Sequence, residues 1–446
     1  MLSVVATETS ALTVISVPGL GARGDLTFLQ LALGYVVGRV AVAKWLLPGY
    51  FQGEQQTAYA RLERRFGLGT RRTISAVFLV TRFLADGVRV FAGAIPLHLV
   101  TGWSIPTAIV VVGLVTLIYT LAGGLKAVVW ADVAQLAVYM VGGVAALAIA
   151  WRLAGGPGSA LDLAAAAGKL RLFDFSLSLA TPYTFLGGLV GGALLSAASH
   201  GTDQLIVQRL LATGDLARAR VALVGSGILV AVQFLLFLLV GSAIWAAGLA
   251  PADRASDEIF ARFIIDYLPS GLAGLLVAGI LAAAMSTLSS SINALASSVT
   301  LDLYAPLRPE AGPEQLLRTG RWISAAWAGA LVGGALLFNA GAALDTPVVV
   351  LALSIASVTY GGLLGTYILA GRWPRATGRD AVTGAVGSMA VMLLVVFAPR
   401  LAPDGTWWQA LAGGLAWPWF VPLGTAITIL LGMLMSTVPH RAKEGE

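Results

Sequence analysis

The sequence contains no cysteine, few histidines and few charges. Of its 446 residues none is Cys, three are His, and 11% are charged against 58% hydrophobic, whereas about a quarter of residues carry charge in soluble proteins. A chain without thiols and with scattered histidines lacks the ligands for disulfides, thiolate zinc sites or iron–sulfur clusters. It also lacks the Gly-x-x-x-x-Gly-Lys-Ser/Thr phosphate loop. These absences argue against a soluble protein, a redox or zinc enzyme and an ATP-driven pump.

About twelve apolar segments fill the chain instead. Each approaches the roughly 20 residues that a helix needs to cross the hydrocarbon core of a membrane, and together they leave little sequence for a soluble domain. We number them segments 1 to 12: 1–19, 27–47, 74–99, 105–123, 128–151, 183–205, 219–248, 271–301, 322–340, 346–370, 381–399 and 415–437. The sequence therefore predicts an all-α, polytopic membrane protein.

The basic residues predict which way these segments point. If Met1 lies in the cytoplasm, 18 Lys and Arg residues fall on the cytoplasmic side, seven fall outside and three lie within segments, which follows the positive-inside rule. We therefore expect a multi-pass protein of the cell (plasma) membrane with both termini cytoplasmic. The formal net charge of +6 then reflects orientation, and we expect no nucleic-acid partner.

Segment 1 has an unusual beginning. It has no basic start and carries Glu8 within its apolar run, so we expect no secretory signal peptide. Only five residues precede its polar interruption, which begins at Ala6. Such a short inner half cannot reach the cytoplasmic surface, so either the chain is truncated or its start codon lies further upstream, and we favour the upstream start.

Ionisable side chains within the segments are candidates for function, because a charge at membrane depth is costly. They are Glu8, Arg39, Arg82, Asp86, Arg89, Asp132, His200 and Asp203. Segments 1 and 6 are also interrupted by glycine, proline or polar residues, and the interruption of segment 1 ends at Pro18-Gly19. Interrupted helices in corresponding places of two five-helix halves are typical of inverted-repeat transporters. Ordinary membrane-helix kinks are the alternative.

Segment 8 carries a stripe of small and hydroxyl residues. Spacings of three and four place on one helix face Ala283, Ser286, Thr287, Ser290, Asn293 and Ser297. Hydroxyl oxygens beside an interrupted helix are hard ligands, which sodium prefers over nitrogen or sulfur. The alternative is a helix-packing seam with hydroxyls bonded to carbonyls one turn earlier, which explains a long run of serines less well.

Segment 3 places Arg82, Asp86 and Arg89 on one face, at i, i+4 and i+7. Asp86 can pair with either arginine, which predicts an internal ion network that orients this helix. The alternative is that the arginine left without its own carboxylate faces a cavity and binds a carboxylate or other anionic group of a solute.

Four longer motifs carry a family resemblance: TAYARLERRFG at 57–67, GGLKAVVWADVAQ at 123–135, TDQLIVQR at 202–209 and MSTLSSSINALASSVTLDLY at 285–304. They resemble the Tyr-x-x-Leu-x-x-Arg-Phe-Gly loop, the Gly-Gly-Leu-x-Ala-Val-x-x-x-Asp segment, the end of helix 6 and the helix 8 signature of the sodium:solute symporter family. That family includes sodium/glucose, sodium/proline and sodium/sialic acid transporters. The resemblance covers about four fifths of the chain.

The resemblance implies a LeuT-like fold, an inverted repeat of five plus five helices followed by about two more. The symporter core would then occupy 1–372, and 373–446 would hold segments 11 and 12 and a cytoplasmic tail.

The resemblance also implies the family's main sodium site, between segments 1 and 8. Its ligands would be the backbone carbonyls of Ala6, Thr9 and Ala283 and the hydroxyls of Ser286 and Thr287.

Some family members have a second sodium site, and the matching residues here are Asp132, Ser286, Ser289 and Ser290. Asp132 can instead be structural or proton-linked. Glu8 stands where proline-type members carry an aspartate and sugar-type members an asparagine, so it could tune sodium affinity.

Ser199 and His200 stand where sugar-type members have a Tyr-Trp pair, which gives less support to a sugar stacked on an aromatic ring. His200 either contacts the solute or fills the gate. The candidate solute and gate residues are therefore Glu8, Arg89, Ser199 and His200.

The resemblance implies a sodium-coupled symporter that imports a small organic solute by alternating access, with Na+ as coupling ion and no other cofactor. We do not expect an enzyme, since the only candidate acid–base pair, Asp203 near His200, is weak. A membrane sensor on the same scaffold, signalling through a separate partner, is the alternative, and a passive channel is another.

Overall fold

The described part of the protein is built from helices. A computed structural model describes residues 11–52, 57–341, 347–401 and 414–437, and leaves out the side chains of 122–132, 341 and 398–401. Every regular element in these ranges is a helix, as the composition predicts. The helices are α1 (Ala11–Arg23), α2 (Leu29–Tyr50), α3 (Ala60–Phe66), α4 (Leu68–Thr101), α5 (Ile105–Leu153), α6 (Pro157–Ala166), α7 (187–201), α8 (Gln204–Leu211), α9 (Leu216–Ala246), α10 (Ser256–Tyr267), α11 (Ser270–Leu307), α12 (Pro313–Gly341), α13 (Val348–Arg372), α14 (Gly378–Leu401) and α15 (Trp417–Thr437).

Each predicted segment coincides with at least part of a helix. Within the described ranges, eight stretches are long and apolar enough to cross a membrane: α2, Val133–Leu153 of α5, α9, and α11 to α15. α4 and Ile105–Leu121 pass the same test only together, across a bend of 113°. Segments 1 and 6 fall short because the described part of segment 1 starts at Ala11 and segment 6 is divided between α7 and α8.

The structure departs from the predicted segments in three places. A single helix, α5, covers both segment 4 and segment 5. α1 runs as one helix from Ala11 through Pro18 and Gly19 to Arg23, so the prediction that the interruption of segment 1 extends to this pair is wrong. A proline removes one backbone donor, and neighbouring helices can compensate for that loss inside a membrane protein. The short helices α6 and α10 lie outside every predicted segment.

Glycine brings two pairs of helices into backbone contact. A methyl group in place of Gly21 would overlap the carbonyl of Leu238 on α9, and one in place of Gly241 would overlap the carbonyl of Pro18 on α1. Gly38 plays the same part where α2 meets α7. Small residues at such contacts allow the close van der Waals packing that holds helices together in membranes.

A short connection joins several helices at the end that the basic residues assign to the cytoplasm. Thr57 Oγ1 donates a hydrogen bond of 2.7 Å to Asp302 at the end of α11. The Ala58 N–H donates to Gln204 Oε1 on α8 at 2.7 Å, and the Ala58 carbonyl accepts from the Tyr367 hydroxyl of α13 at 2.7 Å. Tyr367 is 1% exposed and the other four residues are fully buried, so these hydrogen bonds are shielded from solvent.

At the opposite end, α10 is held by one carboxylate. Asp257 accepts hydrogen bonds from the Ser16 hydroxyl of α1 and, at 2.9 Å, from the backbone N–H of Val348 at the start of α13. Asp257 therefore ties α10 to one helix from each predicted repeat.

Candidate functional site

The helix interruption predicted for segment 6 is present. α7 ends at Gly201, and Asp203 begins α8 by accepting a hydrogen bond from the Leu205 N–H at 2.9 Å, which satisfies one free donor at the helix start. The carbonyl of Gly201 accepts from the Tyr50 hydroxyl of α2 at 2.6 Å. The interruption predicted for segment 1 begins at Ala6, which lies outside the described residues, as does Glu8.

A buried ion network surrounds this break. Asp86 Oδ1 lies 3.3 Å from Arg82 Nη1 and 3.0 Å from Arg89 Nη1, so the predicted pairing along segment 3 is confirmed. Arg82 Nη2 also lies 2.7 Å from Asp203 Oδ2, which accepts the Tyr360 hydroxyl of α13 at 2.7 Å. Arg82, Asp86 and Asp203 are each at most 3% exposed.

Sequence reasoning missed the contact between Arg82 and Asp203. The two residues lie on different helices, so no local spacing connects them. The available signal was charge balance, because two arginines and one aspartate on segment 3 leave a cation that needs a buried counter-charge. The sequence also offers Asp203 and His200 as a weak candidate acid–base pair. In the structure the Asp203 carboxylate instead bonds to Arg82, Tyr360 and the Leu205 N–H.

A central cavity of about 110 Å³ lies beside this network. Its described lining is mostly apolar and contains no carboxylate: Leu12, Thr13, Tyr35, Arg82, Arg89, Leu195, Ser196, Ser199, His200, Leu205, Ile206, Val230, Phe234, Val349, Ala352, Leu353, Ala356 and Tyr360. Three of the predicted solute and gate residues, Arg89, Ser199 and His200, therefore line one cavity. Such a lining, apolar with a few convergent polar groups, is typical of a small-molecule site.

Ser199 and His200 lie together in the cavity wall. The Ser199 hydroxyl lies 2.8 Å from His200 Nδ1, which is also 3.1 Å from the Ser196 carbonyl. His200 is buried, at 4% exposed. These bonds fix the orientation of the imidazole ring at the inner end of α7, where segment 6 is interrupted.

Most of the hydroxyl stripe of segment 8 is buried on α11, and only Asn293 and Ser297 are half-buried. Ala283, Ser286 and Thr287 of the predicted main sodium site are 3–6% exposed, and Ser289 and Ser290 of the predicted second site are fully buried. Their predicted partners from the first repeat are not placed: Ala6 and Thr9 lie outside the described residues, and so does the side chain of Asp132.

The Ser290 hydroxyl already has a hydrogen-bond partner. It accepts a hydrogen bond of 2.6 Å from Arg209 Nη2 of α8. A guanidinium at this distance is a fixed positive charge beside one ligand of the predicted second sodium site, which opposes binding of another cation there.

A second, smaller cavity separates α11 from the ion network. Its volume is about 10 Å³, and its described lining is Ala11, Leu12, Asp86, Arg89, Val90, Ala284, Thr287, Leu288 and Ser291. Arg89 and Leu12 thus line both cavities. Among the described residues, these two side chains therefore connect the central cavity with the small cavity that Thr287 of the predicted main sodium site also lines.

A third cavity, of about 720 Å³, lies at the predicted outer end of α1. The Lys169 ammonium donates to the carbonyls of Ala22 and Gly24 at 2.8 Å each, and burial lowers its pKa. Arg171 Nε pairs with Asp25 at 2.9 Å. Cations at carbonyls that end a helix compensate its negative end, so Lys169 fixes the outer end of α1.

Comparison with known proteins agrees with this architecture. The sodium:solute symporter family profile matches residues 1–391. The human sodium/iodide cotransporter is 30% identical over 416 residues, 90% of this chain and 63% of that one. The sodium-coupled monocarboxylate transporter 2 of Danio rerio is 30% identical over 398 residues, 86% of this chain and 62% of that one. The chain therefore spans less than two thirds of the length of these relatives.

Solved structures share the fold. The substrate-bound, outward-open structure of a Na+-coupled sialic acid symporter superposes with a TM-score of 0.84 at 23% identity, covering 98% of this chain and 88% of that one. A nucleobase–cation symporter superposes with a TM-score of 0.55 at 16% identity, covering 98% and 92%. The predicted inverted five-plus-five fold is thus confirmed, and the chain belongs to the sodium:solute symporter family.

Proposed function

We propose that the protein is a sodium-coupled symporter that imports a small organic anion, a carboxylate in the simplest case, across the cell membrane by alternating access. The observation that carries this proposal is the position of Arg89, whose side chain lines both the central cavity and the small cavity next to Thr287. A solute held by Arg89 and a sodium ion held by α11 would be separated by little more than one side chain.

The residues of α11 suit sodium. Ser286 and Thr287 supply hydroxyl oxygens within a buried helix face, and sodium, a hard cation, prefers oxygen ligands. The main site of Ala6, Thr9, Ala283, Ser286 and Thr287 remains our assignment for the coupling ion. The second site of Asp132, Ser286, Ser289 and Ser290 has less support, because Arg209 bonds to Ser290.

The central cavity suits an anion with an apolar body. It contains the guanidinium of Arg89 and no carboxylate among its described lining residues. A guanidinium in apolar surroundings favours a carboxylate through charge-assisted hydrogen bonds. Ser199 and His200 lie in the same wall and would contact polar atoms of the solute. Two relatives are named for iodide and for monocarboxylates, which are anions, and this supports a negatively charged solute.

Coupling needs no nucleotide. One charge moving through 100 mV supplies about 2.3 kcal/mol, to which the sodium concentration gradient adds. Sodium would bind from the outer side, favour the state in which the cavity faces out, and complete the site for the solute. The two repeats would then rock to open the cavity toward the cytoplasm. Transport by the related proteins favours this function over a membrane sensor.

Uptake into proteoliposomes tests the proposal. A panel of carboxylates, sugars and neutral amino acids is offered to the reconstituted protein with and without an inward sodium gradient. We expect saturable uptake of at least one carboxylate that depends on the gradient. Ser286→Ala should raise the sodium concentration for half-maximal uptake several-fold. Sodium-independent uptake, or solute binding without uptake, would overturn the proposal in favour of a channel or a sensor.

A further inference from the structure

Among the described residues, the small cavity contains an unusual combination of buried polar atoms. Asp86 is 1% exposed, and its Oδ2 has no hydrogen-bond partner, because Arg82 and Arg89 both bond to Oδ1. Ser291, fully buried on the facing helix, has a hydroxyl without a partner as well. Arg89 Nε, a donor on the same cavity, also lacks a partner. Buried polar groups are nearly always satisfied, so the two unpartnered oxygens of Asp86 and Ser291 indicate a missing ligand.

The packing of α4 against α11 places these two residues at the same level. Gly93 of α4 faces Ala284 of α11 so closely that a methyl group on Gly93 would overlap it. Asp86 lies two turns before Gly93, and Ser291 lies two turns after Ala284. The two helices run in opposite directions, so the close contact at one level brings Asp86 and Ser291 to the same level further along.

The size and chemistry of the cavity fit a single small cation. A volume of about 10 Å³ is near the minimum for one water-sized particle, which excludes an organic ligand. Besides the Arg89 guanidinium, its polar lining residues are Asp86, Thr287 and Ser291, whose carboxylate and hydroxyl oxygens are hard ligands. We propose that this cavity between α1, α4 and α11 is a further sodium site, with Asp86 and Ser291 as its ligands.

Charge balance gives the site a role in coupling, and this role rests on the proposed function. Arg82, Arg89, Asp86 and Asp203 are two cations and two anions, so the network is neutral when the solute is absent. An anion bound to Arg89 leaves one negative charge in excess, and a sodium ion at Asp86 Oδ2 restores neutrality. Sodium at Asp86 also competes with Arg89 for the carboxylate, which frees the guanidinium to bind the solute. Each ligand therefore strengthens the binding of the other.

Equilibrium binding of 22Na+ alone to the purified full chain tests the site. We expect Asp86→Asn to remove one bound sodium per chain and Ser291→Ala to weaken one sodium about 3- to 10-fold. Ser298→Ala is the matched control, because Ser298 is also a buried α11 serine without a hydroxyl partner among the described residues but does not line the cavity. Its sodium binding should equal that of the unaltered protein.

Further variants separate this inference from the proposed function. Ser286→Ala should weaken a different sodium, the one in the main site. Unchanged 22Na+ binding in both Ser291→Ala and Asp86→Asn would mean that the cavity holds water only, while the main site stands. Loss of a sodium only in Asp132→Asn would also overturn the inference. Absence of any sodium binding would overturn both proposals. If Asp86→Asn does not fold, Ser291→Ala decides alone.

Discussion

Arg82 and Arg89 share Asp86 and both line the central cavity, but they differ in their other carboxylate partner and in exposure. The Arg82 side chain is 4% exposed and bonds to a second carboxylate, Asp203, whereas the Arg89 side chain keeps 26% of its surface exposed. Removing Arg82 would leave Asp203 buried without its counter-charge, a loss of about 3–5 kcal/mol for a broken buried pair. Arg82 therefore supports the fold, and Arg89 is the arginine available to a solute.

This difference leads to a prediction for Arg89→Gln. We expect the KM for an anionic solute to rise about 10- to 100-fold, because a charge-assisted hydrogen bond contributes about 1.5–3 kcal/mol. The KM for any neutral solute of the same carrier should change little. Arg89→Lys keeps the charge but loses the forked geometry, so its KM for the anionic solute should lie between those of the unaltered protein and Arg89→Gln. Uptake kinetics for anionic and neutral solutes measure the effect, and equal losses for both would contradict an anion site at Arg89.

The sequence predicts some of the ion pairs in this network but not all of them. The i, i+4, i+7 spacing predicts that Asp86 can pair with Arg82 and Arg89, and both pairs form. The bond to Asp203 depends on how α4 packs against the start of α8, which a single sequence does not encode locally. The small cavity could not be predicted either. Ser291 lies off the predicted hydroxyl face of segment 8, and it lines the cavity only because α4 packs against α11.

At the scale of whole elements, length and apolarity decided what could be predicted. The membrane segments have long apolar runs, and all coincide with helices. α6 and α10 are short, at 10 and 12 residues, and their apolar residues are too few to stand out from a connection. The interruption of segment 6 was predictable because Gly, Ser and Asp favour breaks and helix starts over helix interiors. The continuation of α1 through Pro18 was not, since it depends on support from α9 and α10.

α10 offers a prediction about pH. Burial raises the pKa of Asp257, against the opposing effect of its bonds to Ser16 and Val348. A carboxyl whose pKa is higher in the folded than in the unfolded chain holds its proton more tightly when folded, so its contribution to stability falls as pH rises. We expect the Tm of the unaltered protein to rise, relative to the Tm of Asp257→Asn, as the pH is lowered from neutral toward the ordinary pKa of a carboxyl group.

Fluorescence-detected thermal unfolding in detergent measures this difference. Glu258→Gln is the control, because Glu258 is the neighbouring charge that also raises the Asp257 pKa. It should retain most of the pH dependence. Parallel Tm profiles for the unaltered protein and Asp257→Asn would show that the group does not titrate in this range.

At the scale of the whole molecule, different contacts hold the two ends. Asp257 ties α10 to α1 and α13 at the predicted outer end, while Thr57 and Ala58 bond to α8, α11 and α13 at the other end. In the proposed transport cycle, opening toward the cytoplasm would break these bonds. The Tyr367 hydroxyl, which bonds to the Ala58 carbonyl, would then shift the balance between the outward- and inward-facing states toward the outward-facing one.

Tyr367→Phe should shift this balance toward the inward-facing state. The lost hydrogen bond contributes about 0.5–1.5 kcal/mol, which corresponds to roughly a 2- to 10-fold change in the population ratio. Because the chain has no Cys, Ser199→Cys provides a single labelling site in the cavity wall. We expect faster labelling by an impermeant maleimide from the cytoplasmic side in the Tyr367→Phe background. Equal labelling rates of Ser199→Cys with and without Tyr367→Phe would contradict a role of the Tyr367 hydrogen bond in favouring the outward-facing state.

The glycine contact between α1 and α9 limits how the repeats can move. The contact at Gly21 and Gly241 is backbone against backbone, with no side chain between the helices that could change rotamer. Sliding one helix along the other would drive carbonyl oxygens into Cα atoms, so the proposed rocking of the repeats would have to turn about this contact instead of sliding across it. Rotation about such a pivot would link opening at one end of the cavity to closure at the other.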